Sequence, residues 1–225
     1  SHNPPQDNGY KVYVGPVADG INYASSQIIN PTDGFIAADI DAVTSLKSLP
    51  RGKKWTILDE EVLNEYVKRT SALAPRPGDL KVVYTAMHGV GTETAQLVFN
   101  KAGFSSLITV DEQCTPDPDF PTVAFPNPEE PGAIDLALKK ARDFGAELVI
   151  ANDPDADRCA AAINDPAVGW RMLRGDELGV VLGEWIARSK PTGTFGNSIV
   201  SSSALRKISA HYGIDFQEVL TGFKW

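Results

Sequence analysis

Leu148-Val149-Ile150-Ala151-Asn152-Asp153-Pro154-Asp155-Ala156-Asp157-Arg158 is the stretch from which the rest of the chain is read. An apolar run of strand character leads into carboxylates at alternate positions. In an extended chain, residues i, i+2 and i+4 point to one side, so the spacing aims three negative charges at one small volume. Two unit charges about 5 Å apart repel by roughly 3 kcal/mol at an effective dielectric of about 20. Three such pairs strain a fold unless a cation sits among them, and hard oxygen ligands suit Mg2+ or Ca2+. Arg158 follows at once, a fork-shaped donor suited to phosphate.

Rival readings exist for this stretch. A solvated acidic turn is the plainest. An EF-hand is excluded, because its loop needs Gly at the sixth position and Glu at the twelfth, where Arg158 and Asn164 stand. A phosphatase-type loop would make the strand-end Asp itself a nucleophile. That chemistry resembles the haloacid dehalogenase families, which favour Thr or Val two places after the second Asp; Asp157 occupies that place.

Outward from this stretch, the pattern is α/β. Residues 81–87 read as a buried strand and His88-Gly89-Val90-Gly91-Thr92 as a tight turn. Residues 92–102 read as a helix with Thr92 at its N-cap and Gly103 at its end. With the strand expected at 107–110 they make a β-α-β unit, whose parallel strands connect right-handed. The Gly-x-Gly turn is not a dinucleotide fingerprint, since Thr94 stands where the third Gly belongs. It reads as structural, with His88 either a turn residue or part of the active site.

Residues 113–132 are rich in proline and can be neither helix nor central strand. Residues 133–144 read as a helix stopped by Gly145. The strand at 147–151 then delivers the acidic loop at its C-terminal end, where open α/β sheets place their ligands. A strand at 159–163 returns, and a short one follows at 170–173. Upstream, 60–73 is an amphipathic helix with Val62, Leu63, Tyr66 and Val67 at helical spacing. Residues 10–14 and 52–58 read as strands, and 39–46 is compatible with helix. Downstream, 177–187 is a helix with Leu178, Val181, Leu182 and Trp185 on one face. A strand at 198–202, a helix at 204–212 and a strand at 216–220 begin a second α/β unit.

Bulk properties narrow the function. The chain has 225 residues, 42% hydrophobic and 22% charged, which is ordinary for a globular protein. A net charge of −8 argues against a nucleic-acid surface. No apolar run approaches the ~20 residues that a membrane span needs. Cys114 and Cys159 form no metal-type pair and point to reduced, packing cysteines in a cytoplasmic protein. Neither Ser1-His2-Asn3-Pro4 nor Phe223-Lys224-Trp225 looks like a natural terminus, so a fragment of a longer protein is expected.

In four ordered stretches the chain resembles the α-D-phosphohexomutase superfamily. Ser1-His2-Asn3-Pro4 is similar to the active-serine motif and Asn8-Gly9-Tyr10-Lys11 to the segment after it. Asp153-Pro154-Asp155-Ala156-Asp157-Arg158 resembles the metal loop, more often Asp-Gly-Asp-Gly-Asp-Arg. Thr221-Gly222-Phe223-Lys224 resembles the start of the third domain's substrate loop. Phe125-Pro126-Asn127-Pro128-Glu129-Glu130 and Met87-His88-Gly89-Val90-Gly91 resemble the branch with phosphoglucomutase/phosphopentomutase and bacterial proteins labelled phosphomannomutase.

The resemblance implies mixed-sheet α/β domains in an incomplete multidomain chain. Residues 1–52 would be the C-terminal part of the first domain, 53–168 the second, and 169–225 the truncated start of the third. It implies a phosphosugar mutase, an isomerase that moves phosphate between C1 and C6 of glucose or mannose phosphate. The route would be a phosphoserine and a sugar bisphosphate. Alternatives are a phosphopentomutase on ribose or deoxyribose 1-phosphate and a Mg2+-dependent sugar-phosphate phosphatase. A non-catalytic binding module is a further one.

By the same resemblance Ser1 carries the phosphoryl group, with His2 and Lys11 serving catalysis. Mg2+ would be held by Ser1, Asp153, Asp155 and Asp157. Substrate would meet Asp157, Arg158, Thr221 and Lys224. A fourth domain with its phosphate loop, and a Glu-containing sugar loop of the third, lie outside the chain, so this chain alone is expected to be a poor mutase. Pro154 and Ala156, where glycines are usual, are expected to stiffen the metal loop without changing its ligands.

Overall fold

The computed structural model describes residues 6, 11–13, 15, 27–74, 78–189 and 191–222. Along the chain the described residues form α1 (Thr32–Asp41), α2 (Glu61–Ser71), β1 (Val82–Thr85), α3 (Gly91–Lys101), β2 (Leu107–Thr109), α4 (Asp135–Phe144), β3 (Leu148–Asn152), β4 (Cys159–Asp165), β5 (Gly169–Met172), α5 (Gly175–Arg188), β6 (Thr194–Ser198), α6 (Ala204–Tyr212) and β7 (Asp215–Val219). They divide into two compact units. The first is built on residues 58–182, and the second on residues 9–57 and 183–225.

The first unit is organised by a mixed sheet in the order β2-β1-β3-β4-β5. β1 pairs parallel with both β2 and β3, while β4 runs antiparallel to β3 and β5 antiparallel to β4. Every residue of β1 is buried, as a strand with neighbours on both edges requires. The core joins Val83, Val149, Ala151 and Ala162 of the sheet to Ala137 and Ala141 of α4. Alanines on that helix let it approach the sheet closely, and Gly145, at φ 61, ends it in the left-handed region that favours glycine.

Topology selects the place of the site. From β1 the chain crosses to β2 on one side and later returns to β3 on the other. The loops that follow β1 and β3 therefore lie side by side at a topological switch point, the preferred ligand position of an open α/β sheet.

In the second unit β6 and β7 pair in parallel through α6, which ends at Gly213 with φ 68. Helix α1 buries none of its residues. Among the described residues no helix is long and apolar enough to cross a membrane.

Several expected elements differ. Residues 52–58 form no strand; Trp55 and Ile57 are 72% and 84% exposed, and alternation without a partner strand does not make a ladder. Of 10–14, Tyr13 makes a single antiparallel bridge to Gln27, while Tyr10 and Val14 lie outside the described residues. The helix expected at 39–46 is α1, which stops at Asp41, and a 3-10 turn follows at Leu46–Ser48. Helix α3 starts at Gly91 with Val90 as N-cap, so Thr92 lies inside its first turn. The strand expected at 198–202 is β6, several residues earlier, where it pairs with β7.

Candidate active site

Asn152 at the end of β3 pairs with Cys159 at the start of β4, so residues 153–158 close an antiparallel hairpin. The Ala156 N–H donates to the Asp153 carbonyl at 2.9 Å, and Ala156 takes φ 56. Asp153, Asp155 and Asp157 each offer an oxygen, all within 4.8 Å of one another. They meet because the chain turns, not because it is extended, which corrects the reason for their convergence.

Asp153 is fully buried; Asp155 and Asp157 are exposed. Its Oδ1 accepts the Arg158 backbone N–H at 2.9 Å. Burial first, then the hydrogen bond that the protonated Asp153 carboxyl gives to Asp155 and the charges of Asp155 and Asp157, push its carboxyl up to about 6. Relative to an ordinary aspartate that shift is worth roughly 3 kcal/mol at neutral pH. The Arg158 Nε lies 4.0 Å from Asp153 and 3.9 Å from Asp157, with the side chain about half exposed (52%). The donor set, all hard oxygens with one anchored ligand and two at the surface, fits Mg2+.

The neck of the hairpin is tied down. The Tyr84 hydroxyl donates to Asn152 Oδ1 at 2.9 Å, and Asn152 Nδ2 donates to the Arg158 carbonyl at 2.5 Å. Burial pushes the Tyr84 phenol far above its usual value, so it stays a donor. Beside the neck, the turn after β1 packs against the loop. A Cβ on Gly89 would collide with the Pro154 backbone, and the Val90 N–H donates to the Pro154 carbonyl at 3.0 Å. Gly89 is therefore glycine for close approach.

Of the residues expected at the site, Asp153, Asp155, Asp157 and Arg158 are brought together on one hairpin. Lys11 lies in the second unit, exposed, next to the Tyr13–Gln27 bridge. Thr221, also in the second unit and exposed, follows the end of β7. Ser1, His2 and Lys224 lie outside the described residues. Sequence reasoning passed over Tyr84 and Asn152. The available signal was a polar residue near the C-terminal end of each of two adjacent parallel strands.

Comparison with known proteins adds an independent line. Residues 63–169 match the family described as phosphoglucomutase/phosphomannomutase, alpha/beta/alpha domain II, and residues 174–225 match its domain III. The chain is 46% identical over 230 residues to a probable phosphomannomutase of Haemophilus influenzae, covering 100% of this chain and 46% of that protein. It is 38% identical over 251 residues to the phosphopentomutase of Mus musculus, covering 100% of this chain and 39% of that protein. The chain thus spans less than half the length of these relatives. A solved phosphoglucomutase/phosphomannomutase family protein from Burkholderia thailandensis superposes with a TM-score of 0.61 at 23% identity, covering 72% of this chain and 33% of that one. That likeness bears on the fold.

Proposed function

Because this chain belongs to the phosphoglucomutase/phosphomannomutase family, we propose that it is the metal- and phosphoryl-handling part of a phosphosugar mutase. The observation that carries this reading is the cluster of Asp153, Asp155 and Asp157 oxygens within 4.8 Å, beside Arg158, at the sheet's switch point. In this reading 1–52 belongs to a first domain, 53–168 is the second, and 169–225 opens the third. The cytoplasmic placement belongs to the same proposal and leans on the free cysteines Cys114 and Cys159.

Asp153, Asp155 and Asp157, with a phosphate oxygen on Ser1, would hold Mg2+. Bound there, Mg2+ supplies charge stabilisation to the transferring phosphoryl group. Ser1 carries that group in the resting enzyme. A sugar hydroxyl oxygen attacks the phosphorus, the bond to the serine oxygen breaks, and Lys11 gives its proton to the departing serine oxygen and is reprotonated by the proton the hydroxyl loses. His2 orients the serine. Arg158, held at the mouth of the hairpin, offsets charge on the phosphoryl oxygens. Thr221 and Lys224 hold the sugar phosphate. The resulting bisphosphate turns over and returns its other phosphate to Ser1, so phosphate moves between C1 and C6 of glucose or mannose.

A second substrate reading, C1 to C5 of ribose or deoxyribose, is favoured by the identity to a phosphopentomutase. Initial rates of the full-length protein on glucose, mannose and ribose 1-phosphates separate the two. The mutase itself is tested by intact mass and product analysis. The wild type should carry one phosphate that Ser1→Ala loses, and the product should be isomerised sugar phosphate. Free phosphate as the product would support the phosphatase instead, and equal phosphate loads would remove Ser1 as the acceptor.

A further inference from the structure

Building on the metal-site reading, we propose that His88 and Gly89 are positioning residues for the cation loop. His88, anchored to the proline-rich segment, holds the Gly89–Val90 turn against Pro154, between Asp153 and Asp155. Met87 and His88 take φ 50 and 63, two successive non-glycine residues in the left-handed region. Such backbone persists only where its surroundings over-determine it.

Those surroundings come from one segment. The His88 N–H donates to the Gln113 carbonyl at 3.1 Å, and the His88 carbonyl accepts the Asp117 N–H at 3.0 Å. The buried His88 ring meets Thr122 through Nε2 and Oγ1 at 2.8 Å. Thr122 Oγ1 also accepts from Gln113 Nε2 at 2.8 Å, and Gln113 Oε1 accepts from Thr85 Oγ1 at 2.5 Å. A hydroxyl that accepts from the Gln113 amide still has its own proton to give, which suits a neutral imidazole accepting at Nε2. Burial, which holds the His88 pKa below its usual value, keeps the ring in that form.

On its other side the turn has no slack. Gly89 already touches Pro154 where a side chain would stand, and Val90 donates to the same residue at 3.0 Å. A shift of His88 is therefore passed to Pro154, and from there to the metal-binding carboxylates on either side. Most of the proline-rich segment, Thr122 included, faces solvent, but buried Gln113, Phe120, Pro126 and Pro128 pin it to the body of the first unit, so it serves as the abutment.

The test is Mn2+ binding to the full-length protein, read by electron paramagnetic resonance of the free ion, with circular dichroism on the same samples. Thr122→Val keeps the shape and removes the hydroxyl; it should bind Mn2+ about tenfold more weakly with an unchanged dichroism spectrum. Thr122→Ser restores the hydroxyl and should return affinity to within about twofold. Gly89→Ala should weaken binding at least as much as Thr122→Val; should it fail to fold, the Thr122 pair decides alone. Wild-type affinity in folded Thr122→Val, or equal losses in Thr122→Ser and Thr122→Val, would overturn the proposal. Absence of Mn2+ binding in the wild type would sink the metal site itself, a separate failure that takes this proposal with it.

Discussion

The β3–β4 hairpin and the β6–β7 pair both lead to residues assigned to the site, yet they are held differently. β3 buries Val149 and Ala151, and β4 buries Ala160, Ala161 and Ala162, with strands paired on both outer sides. No residue of β6 or β7 is buried. Thr221 emerges from a two-stranded layer steadied by α6, by the Arg206–Glu218 pair at 2.9 Å and by Arg206 over the Phe216 ring. A two-stranded layer is marginal alone, whereas a five-stranded sheet with a covering helix is not. Metal ligands need fixed placement, and the residues proposed for that role sit on the better-buried framework. Thr221, proposed to meet the substrate, has the softer support.

The largest expected effect concerns charge in the hairpin. Burial and its acidic neighbours raise the Asp153 pKa from 3.8 to about 6, so the folded state keeps this proton longer than the unfolded chain. Stability of the metal-free protein then falls as pH rises from near the unfolded value to near the folded one, and the deficit is complete above it. Mg2+ offsets the deficit only where Asp153 is ionised. Saturating Mg2+ should therefore raise Tm more at about pH 7.5 than at about pH 5, and Asp153→Asn should stabilise the metal-free protein by up to roughly 3 kcal/mol at the higher pH. Equal Mg2+ shifts at both pH values would break the contrast between the two regions at its root.

Next in size is packing. Val149→Ala empties a filled position in the core of the first unit and should cost about 2 kcal/mol by denaturant titration. Val219→Ala in β7, only half-buried, should cost under about 1 kcal/mol. A reversal would mean that the second unit is the firmer support. Smallest is backbone strain. Ala156 holds φ 56, so Ala156→Gly should gain up to about 1 kcal/mol in thermal unfolding while Mg2+ affinity stays unchanged. A loss of affinity would show that the stiff loop contributes to the site.

The acidic stretch was legible because strand, turn and carboxylates are consecutive. β1 and β3 were legible as apolar runs, and α4 through its stop at Gly145. Residues 52–58 misled because Trp55 and Ile57 alternate like a strand but find no partner among the described residues. β6 was shifted because Gly196-Asn197-Ser198 are turn-type rather than β-type residues, and the strand is placed by pairing with β7. The network of Thr85, His88, Gln113 and Thr122 was out of reach. Its members are joined through a proline-rich segment with no periodicity, so no local pattern announces that they meet.

The claim on which the rest depends is that Asp153, Asp155 and Asp157 share one divalent cation. Calorimetric titration of Mg2+ into the full-length protein, before and after Asp155→Asn, tests it most directly, because Asp155 is exposed and its replacement opens no cavity. A Mg2+ site that weakens about tenfold or more in the variant is the expected result. Affinity unchanged by Asp155→Asn would contradict it.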